Sequence, residues 1–433
     1  MGREQVDAFL RAQELHADFI DMDLEVKAFI ANMRSGLVAT QDAMKMIPTY
    51  IELGQEIPTD ETVIVLDAGG TNFRVATLTF TSDMDTIIED FATHRMPGTD
   101  GEITKDAFYD TIVEYIRPLL DKSRKIGFCF SYPARMLPNK DGEVLNFSKE
   151  VELPEVVGTV IGESIREALD RQNLPSDVDV VILNDTVAAL LGGMNKAVGR
   201  SFDTWLGFIL GTGTNTAYAE RIERIETLGE DRGTGTMVIN MESGTYPIEN
   251  RSPVDLEIDK TTNAPGAYLF EKIVSGRYQG AQLYHTLKAA KRSSLFSSSF
   301  MKAFDEVKEI DSYNLDQFLF SPDEDNLLAN LCSNEEDRTN LYYLIDNLFE
   351  RAARLATINL AAILHHLDAG KNPLRPVAIT AEGTTFYKAK LLKPKIDYWM
   401  KVYTNETLGH YHEFITAENP NLVGAAIAAL TNL

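Results

Sequence analysis

The sequence predicts an α/β protein of two lobes, each built on a mixed β-sheet flanked by helices. Its 433 residues exceed what one hydrophobic core usually supports. Two glycine-rich loops, GGTN at 69–72 and GTGTN at 211–215, each lie between two strand patterns. Because each loop opens a block of domain size, we expect a duplicated fold with a cleft between its halves.

The charge and the composition exclude several classes of function. The chain carries 41 Lys and Arg against 65 Asp and Glu, a net charge of −24, so no basic field attracts nucleic acid or an anionic membrane. Its two cysteines, Cys129 and Cys332, are too few for a disulfide framework or a cysteine-rich zinc site, which fits a reducing cytoplasm. No run of about 18 apolar residues occurs, so we expect no membrane insertion.

The spacing of apolar residues predicts where the elements lie. Residues 4–37 have helical spacing, and strand patterns begin at residue 61. We expect 1–60 to form N-terminal helices that pack on the large lobe, 61–195 to form the small lobe, and 196–418 to form the large lobe. The strand patterns are TVIVL, FRVATLTF, KIGFCF and DVVIL in the first block and 205–222, 236–239 and 376–380 in the second, where 282–370 is mostly helical.

The first loop combines an acid with two glycines, in the segment LDAGGTNFRV at 66–75. Glycines let consecutive amides point into one concavity and bind an anion. Asp67 would repel that anion unless a metal lay between them, so the pattern suits Mg²⁺ on Asp67, often through water, with phosphate on the amides of 69–72. The alternative is a hairpin that needs glycine only for its turn, but a second similar loop favours the phosphate site.

Two common phosphate-binding motifs do not fit this loop. No GxxxxGK[ST] occurs, and a strand rather than a helix follows Asn72, so the loop is not a Walker P-loop. It does not match the dinucleotide fingerprint either. The architecture that remains is the actin-like ATPase (ribonuclease H-like) fold, in which two hairpin loops grip a nucleotide in a cleft between the lobes.

A third element, VVILNDTVAALLGG at 180–193, carries Asn184, Asp185 and Thr186 from a buried strand to the start of a helix. One interpretation of Asp185 is a helix cap. The other is a general base that takes a proton from an attacking hydroxyl. Phosphoryl transfer is largely dissociative, so the proton can leave late and a weak carboxylate base suffices.

Four further segments carry polar residues that suit a sugar, because vicinal hydroxyls need paired donors and acceptors. They are FSYPAR (130–135), NFSK (146–149), NMESG (240–244) and PGAYLFEK (265–272). Each of them alone is equally well explained as solvated surface.

Taken together, the motifs resemble one family, the eukaryotic-type hexokinases. The resemblance covers about residues 60–280 well and 375–433 more loosely, and eight motifs in the same order are specific where one is not. It implies ATP- and Mg²⁺-dependent transfer of the γ-phosphoryl group to the 6-hydroxyl of a hexose, with closure of two lobes around the sugar. The expected hexose is glucose, and the expected pathway is glycolysis. The motifs are LDAGGTNFRV, GFCFSYPAR, NFSK, LNDTVAALLGG, ILGTGTNTAY, INMESGTY, PGAYLFEKIVSGRYQG and AEGTTFYK.

The resemblance also implies a role for each matching residue. Asp185 matches the catalytic base, Lys149 suits neutralisation of charge near the transferred group, and 419–433 resembles the connecting C-terminal helix that returns to the small lobe. The implied substrate contacts are Ser131, Ser148, Lys149, Asn184, Asp185, Asn215, Glu242 and Glu271. The implied nucleotide contacts are Asp67, which also holds Mg²⁺ through water, then Gly69, Gly70, Thr71, Asn72, Arg74, Gly211, Thr212, Gly213, Gly383 and Thr384.

Three positions depart from the family pattern. Ser243 stands where Trp is usual, Tyr268 stands where Gln is usual, and Glu382 stands where Asp is usual. The first two lie close to the expected sugar, so glucose, mannose, fructose and glucosamine all stay open as substrates.

Two other classes of function share this fold. A non-catalytic sugar sensor should have broken phosphate loops or lack the base. Here both loops are intact and Asp185 is present. A chaperone or filament ATPase would not need the polar sugar set. We therefore expect a cytoplasmic enzyme, a monomer or a homodimer, whose partners are a hexose and Mg-ATP.

Overall fold

The computed structural model of the protein describes residues 2–40, 43–147, 151, 153–196, 199–229 and 233–433. Over these residues the strands are β1 (Ile47–Glu52), β2 (Thr62–Gly69), β3 (Asn72–Phe80), β4 (Thr86–Arg95), β5 (Lys125–Phe130), β6 (Ala134–Met136), β7 (Gly142–Val144), β8 (Asp179–Leu183), β9 (Trp205–Leu210), β10 (Thr214–Arg221), β11 (Thr236–Asn240), β12 (Val377–Glu382) and β13 (His412–Ile415).

The helices of the same described ranges are α1 (Gly2–Ala12), α2 (Met22–Leu37), α3 (Lys105–Ile116), α4 (Ile161–Arg171), α5 (Asp185–Lys196), α6 (Pro253–Thr261), α7 (Glu271–Val274), α8 (Gly276–Ala290), α9 (Ser298–Phe304), α10 (Ser312–Phe320), α11 (Leu327–Leu331), α12 (Glu335–Leu367), α13 (Thr384–Lys388), α14 (Leu392–Trp399) and α15 (Pro420–Asn432). Short 3₁₀ turns lie at Ala17–Phe19, Arg117–Leu119, Ile222–Arg224, Glu226–Leu228 and Ser243–Thr245, and a π-helical segment lies at Met400–Thr407.

The two main sheets repeat one topology. The first has the order β4-β3-β2-β5-β8 and the second the order β1-β11-β10-β9-β12-β13. In each sheet an antiparallel hairpin, β2–β3 or β9–β10, is followed on one side by a further antiparallel strand and on the other by two parallel strands. The predicted duplicated α/β fold is therefore confirmed, and each predicted glycine loop is the turn of the matching hairpin.

Strand β2 shows why the first sheet forms. Its residues from Val63 to Ala68 are buried without interruption, as expected for a central strand that is covered on both faces. Ile64 and Leu66 belong to one apolar core, which includes residues of α3 and α4, whereas Val63 and Val65 belong to another, which includes residues of α5 and α15. The strand therefore holds its C-terminal acid, Asp67, at a fixed place.

Helices α5 and α15 lie between the two sheets. Helix α5 packs on β9 and β12, helix α15 packs on β2 and β5, and the two helices pack on each other. Their crossing is close, because a Cβ added at Gly424 would lie 2.0 Å from the carbonyl oxygen of Ala188. Only glycine permits that approach. The N-terminal ends of α5 and α15 carry Asp185 and Pro420.

The N-terminal segment differs from the prediction. Helices α1 and α2 pack on the long helix α12, but residues 1–60 also contain β1, which pairs antiparallel with β11. The sequence pattern predicts only helices here. Strand β1 pairs with a strand that is distant in sequence, since the partner of Ile47 is Asn240. No local sequence pattern therefore indicates the pairing.

The described part of the chain has no helix with both the length and the apolar character needed to cross a bilayer.

Candidate active site

Asp185 lies where strand β8 meets helix α5. Asn184 Oδ1 accepts a hydrogen bond from the Thr186 amide at 2.9 Å, and the Thr186 hydroxyl donates to Asp185 Oδ1 at 3.3 Å. The pKa of Asp185 is raised to about 6: burial is the largest cause, the hydrogen bonds from Thr186 oppose the shift, and the charges of Asp67 and Glu242 add to it. Because Asn184 receives the Thr186 amide, helix capping does not depend on Asp185 alone.

A hydrogen-bonded group of amides and a carboxylate faces Asn184. Asn215 Nδ2 donates to Asn240 Oδ1 at 2.7 Å and approaches Glu242 Oε1 at 3.4 Å, while Asn240 Nδ2 donates to the same Glu242 oxygen at 2.9 Å. Asn215 Nδ2 also lies 3.5 Å from Asn184 Oδ1. Four side chains, from the residue after β8, from β10, from β11 and from the turn after β11, therefore bring donors and acceptors together.

Glu271 connects this group to the second glycine loop. Its Oε2 accepts a hydrogen bond from the Thr214 amide at 3.1 Å, and a Cβ added at Gly213 would lie 2.7 Å from the same oxygen. Burial raises the pKa of Glu271, and the charge of Glu242 adds to the shift. Gly213 is therefore needed for the contact of the loop with this carboxylate.

A cavity of about 140 Å³ lies beside these groups. Its polar wall includes Ser131, Asn184, Asn240 and Glu242. Its apolar wall comes from β1, β6 and their neighbours and includes Ile47, Met136 and Leu145, and Lys45 also lines it. The cavity thus combines a few convergent polar groups with apolar surface, as small-molecule sites do.

Asp67 lies on β2 at the base of the first hairpin loop, opposite Arg74 on β3. Arg74 Nη1 donates to its Oδ2 at 3.0 Å, and Asn421 Nδ2 lies 3.4 Å from its Oδ1. Burial raises the pKa of Asp67, while the charge of Arg74 and hydrogen bonds from Cys129 and Asn421 oppose the shift. A buried carboxylate of this kind is a ready ligand for a cation.

A second cavity, of about 420 Å³, lies next to Asp67. Its wall contains Asp67, Arg74, Asp185, Glu382 and Gly383 together with the first turn of α15. Burial raises the pKa of Glu382 to about 6. Burial is the largest cause of the raised pKa of Asp67, Asp185 and Glu382 alike, and a bound cation would favour the charged form of these carboxyls.

The glycines predicted to contact the nucleotide differ in whether the packing of the protein requires them. A Cβ at Gly69 would meet nothing nearer than Ser131 Oγ at 3.4 Å, and one at Gly211 would meet nothing nearer than Gly383 Cα at 3.7 Å. Both are ordinary contacts, so the packing of the protein does not require bare backbone at these positions. Gly383, in contrast, has φ +115° and leaves no room for a side chain, because a Cβ would lie 2.3 Å from the Leu210 carbonyl oxygen.

The remaining predicted loop residues lie at exposed turns. Gly70, with φ +57°, Thr71 and Asn72 form the tip of the β2–β3 hairpin, Thr212 forms the tip of the β9–β10 hairpin, and Thr384 begins α13. The Gly211 carbonyl oxygen accepts hydrogen bonds from the Gly276 amide and the Thr385 hydroxyl, each at 2.9 Å. This pair ties the second loop to the segment that begins at Gly383.

Not every predicted site residue can be placed, and two site residues were not predicted. Ser148 and Lys149 lie outside the described residues. Asn240 and Asn421 belong to the site by contact, although no sequence motif assigns either of them a role. Asn240 lies in the NMESG motif and has only its position at a strand end as a signal, and Asn421 reaches Asp67 from the far end of the chain.

The two departures near the expected sugar lie in different places. Ser243 is fully buried, and its hydroxyl lies 3.2 Å from that of Thr216. Tyr268 lines the smaller cavity and has φ +54°. Burial raises the pKa of the Tyr268 phenol, and the charges of Glu242 and Glu271 add to the shift.

Comparison with known families decides the relationship. Two family models, both described as hexokinase, match the chain over residues 6–194 and 205–431. The chain belongs to the hexokinase family. By that membership it is an ATP-dependent sugar kinase.

Curated relatives agree along most of this hexokinase chain. The hexokinase of Kluyveromyces lactis is 28% identical over 444 aligned positions, which cover 93% of this chain and 87% of the relative. The glucokinase of Aspergillus niger is 27% identical and covers 80% of each chain. Hexokinase-2 of Homo sapiens is 27% identical over 89% of this chain but only 44% of its own, so this hexokinase spans less than half of that protein.

Solved structures support the fold. A hexokinase from Schistosoma mansoni in complex with glucose superposes with a TM-score of 0.75 at 22% identity, covering 99% of this chain and 98% of that one. A second solved hexokinase superposes with a TM-score of 0.73 at 20% identity, covering 100% and 96%. The predicted two-lobed actin-like ATPase fold is therefore confirmed for this hexokinase.

Proposed function

We propose that this hexokinase transfers the γ-phosphoryl group of Mg-ATP to the 6-hydroxyl of a hexose, with glucose as the preferred substrate and glycolysis as its setting. One observation carries the proposal: Asn184 lines the smaller cavity and Asp185, the next residue, lines the larger one. A hexose in the first cavity and a nucleotide in the second would therefore meet at Asp185.

The smaller cavity suits a sugar because its acceptors and donors are paired in advance. Asn184, Asn215, Asn240 and Glu242 are linked to one another by hydrogen bonds of 2.7–3.5 Å. Such groups can exchange these bonds for bonds to hydroxyls without leaving a buried polar atom unpaired. Ser131 follows β5 of the first sheet and adds a hydroxyl to this cavity, whereas Asn240 and Glu242 come from the second sheet. Closure of the two lobes would therefore surround the sugar.

Asp185 is the proposed general base. Its carboxylate would accept the proton of the attacking 6-hydroxyl and orient its oxygen toward the γ-phosphorus. A pKa of about 6 makes it a stronger base than an ordinary aspartate, yet leaves it ionised at neutral pH. Positioning and exclusion of water account for the rest of the rate enhancement.

The larger cavity fits the nucleotide and Mg²⁺. Gly69 and Gly211 leave free volume that the protein does not use, which suits amides that lie against phosphate oxygens. Among the described residues, no three side chains of His, Cys, Asp or Glu converge on one point, so the fit is to a cation held largely by phosphate and water, with Asp67 as its protein partner. Bound there, Mg²⁺ would neutralise charge on the transferred group.

The proposed preference for glucose rests on the relatives. One of them, at 27% identity, is named a glucokinase. Tyr268 is the feature that most directly challenges this preference, because it lines the same cavity as Glu242 and stands where the family usually has Gln. Mannose, fructose and glucosamine are therefore the alternatives to be compared.

The decisive experiment measures ADP release by the purified protein with Mg-ATP and each of glucose, mannose, fructose, glucosamine and N-acetylglucosamine. We expect stimulation that depends on the sugar and is strongest with glucose. Strongest stimulation by another hexose would overturn the preference only. No stimulation by any sugar, together with measurable sugar binding by calorimetry, would favour the second candidate, a non-catalytic sensor.

A further inference from the structure

Three buried polar side chains lie behind the smaller cavity and are not used by the mechanism above. They are Thr216 on β10, Ser243 in the turn after β11, and Asn359 on α12, and each is 0% exposed. Asn359 Nδ2 donates to Thr216 Oγ1 at 2.6 Å, and the hydroxyl oxygens of Thr216 and Ser243 lie 3.2 Å apart. We call these three residues the rear network.

Each hydroxyl of the rear network directly follows a proposed hexose contact. Thr216 follows Asn215, and Ser243 follows Glu242. The backbone amides of Thr216 and Ser243 both donate to Asn215 Oδ1, at 2.7 and 3.3 Å. These bonds fix the amide of Asn215 so that its Nδ2 points at Asn240 and Glu242.

Glu242 lies in a strained turn that hydrogen bonds from neighbouring residues hold in place. Its backbone has φ +55°, a left-handed conformation that is strained for a residue other than glycine. The Thr245 hydroxyl holds its carbonyl oxygen at 2.6 Å, and the next residue, Ser243, is held through Thr216. The strained turn is thus anchored to β10 and, through Asn359, to α12.

Asn359 is unusual in its surroundings. Its neighbours Ile358, Leu360 and Ala361 are apolar and 0% exposed. Its Oδ1 has no hydrogen-bond partner among the residues that the structure describes. A buried amide that leaves one oxygen unpaired costs stability, so its presence calls for a role for the hydrogen bond that it donates.

We propose that Asn359 is a positioning residue for the hexose site and acts through Thr216 and Ser243 on Asn215 and Glu242. This inference rests on the proposed function, because it takes those two residues as hexose contacts. Asn359 itself touches neither substrate. Its role is to keep two segments, one from β10 and one from the turn after β11, in the register that a hexose requires.

The test compares two matched pairs of variants. Thr216→Val removes the hydroxyl at nearly constant shape, whereas Thr216→Ser keeps it. Asn359→Leu removes the donated hydrogen bond, whereas Thr357→Val, two residues earlier on α12, removes a buried hydroxyl that has no partner among the described residues. For each variant, KM and kcat are measured for glucose and for ATP, together with the melting temperature.

We expect Thr216→Val and Asn359→Leu to raise the KM for glucose about five- to tenfold, with kcat and the KM for ATP changed less than about twofold. Thr216→Ser and Thr357→Val should stay within about twofold of the wild type. The double variant Thr216→Val/Asn359→Leu should match the larger single effect, because both changes interrupt the same chain of contacts.

Two results would overturn the inference. One is an equal KM for glucose in Thr216→Val and Thr216→Ser, or in Asn359→Leu and Thr357→Val. The other is a fall in kcat/KM that parallels the fall in melting temperature and is equal for glucose and for ATP, which marks a purely structural role. A wild-type protein that neither phosphorylates nor binds any of the hexoses tested would overturn the proposed function instead, and this inference with it.

Discussion

Arg74 Nη1 lies 3.0 Å from Asp67 Oδ2 across the β2–β3 hairpin, at positions that pair in the sheet. The two side chains differ in exposure, 47% for Arg74 and 5% for Asp67. Although Arg74 favours the charged carboxylate, burial is the larger effect, so the pKa of Asp67 is raised. One neighbouring cation therefore does not satisfy this carboxylate, and a second positive partner would be bound favourably.

The first prediction concerns that second partner. Asp67→Asn keeps the shape but removes the charge, and we expect the Mg²⁺ concentration for half-maximal rate to rise about tenfold or more, since one carboxylate contact is lost. Titration of the rate with Mg²⁺ at fixed ATP measures it. Binding of glucose, followed by calorimetry, should be unchanged, because Asp67 does not line the smaller cavity.

The control for this variant is Asp83→Asn, a change at an exposed acid between β3 and β4. It alters the net charge equally and should leave the Mg²⁺ requirement unchanged. An equal response in both variants would show that Asp67 acts only through the overall charge.

The second prediction tests the proposed base. Asp185→Asn should lower kcat by about 10²–10⁴-fold, the usual contribution of general base catalysis, and Asp185→Ala should behave similarly. The dissociation constant of glucose should change less than about threefold, because the hydrogen-bonded group of Asn184, Asn215, Asn240 and Glu242 stays intact. Turnover at the wild-type rate in either variant would exclude Asp185 as the base.

The third prediction concerns pH. The pKa of Asp185 is raised to about 6, and a base must be deprotonated to act, so the active form predominates above that pH. We expect kcat/KM for glucose to be level above about pH 7 and to fall about tenfold per pH unit below about pH 6. A pH–rate profile from pH 5 to pH 8 measures this.

A second acid in the cleft shares the same pKa range, so a control is needed. Glu382 also has a pKa of about 6, and Glu382→Gln should keep the decline if Asp185 causes it. The residual rate of Asp185→Asn should show no such decline. A wild-type profile that stays level down to pH 5 would contradict the assignment.

The sequence predicts the strands that carry the loops, for a physical reason. Central strands such as β2 and β8 are covered on both faces and read as unbroken apolar runs. The acids that follow them stand out against that background. Asp67 and Asp185 could therefore be singled out as site candidates, and the structure brings both to one cavity. Their roles stay predictions.

Other parts of the fold leave no local trace in the sequence. Strand β4 is an edge strand with an exposed alternating pattern, and β1 finds its partner only through β11. Asn421 contacts Asp67 across 354 positions of the chain, and Asn359 contacts Thr216 across 143. An amide carries no charge or motif that marks such a contact, so only the tertiary structure reveals it.

The last prediction separates a glycine that serves a ligand from one that serves the fold. Gly211→Ala places its Cβ 3.7 Å from the nearest atom, so the melting temperature should stay unchanged while the KM for ATP rises about tenfold, because the methyl group occupies space proposed for phosphate. Gly383→Ala, at φ +115° and 2.3 Å from the Leu210 carbonyl oxygen, should instead lower the free energy of unfolding by more than about 1 kcal/mol. Thermal melts and ATP kinetics on both variants measure the contrast. An unchanged KM for ATP in Gly211→Ala would mean that phosphate does not approach this loop.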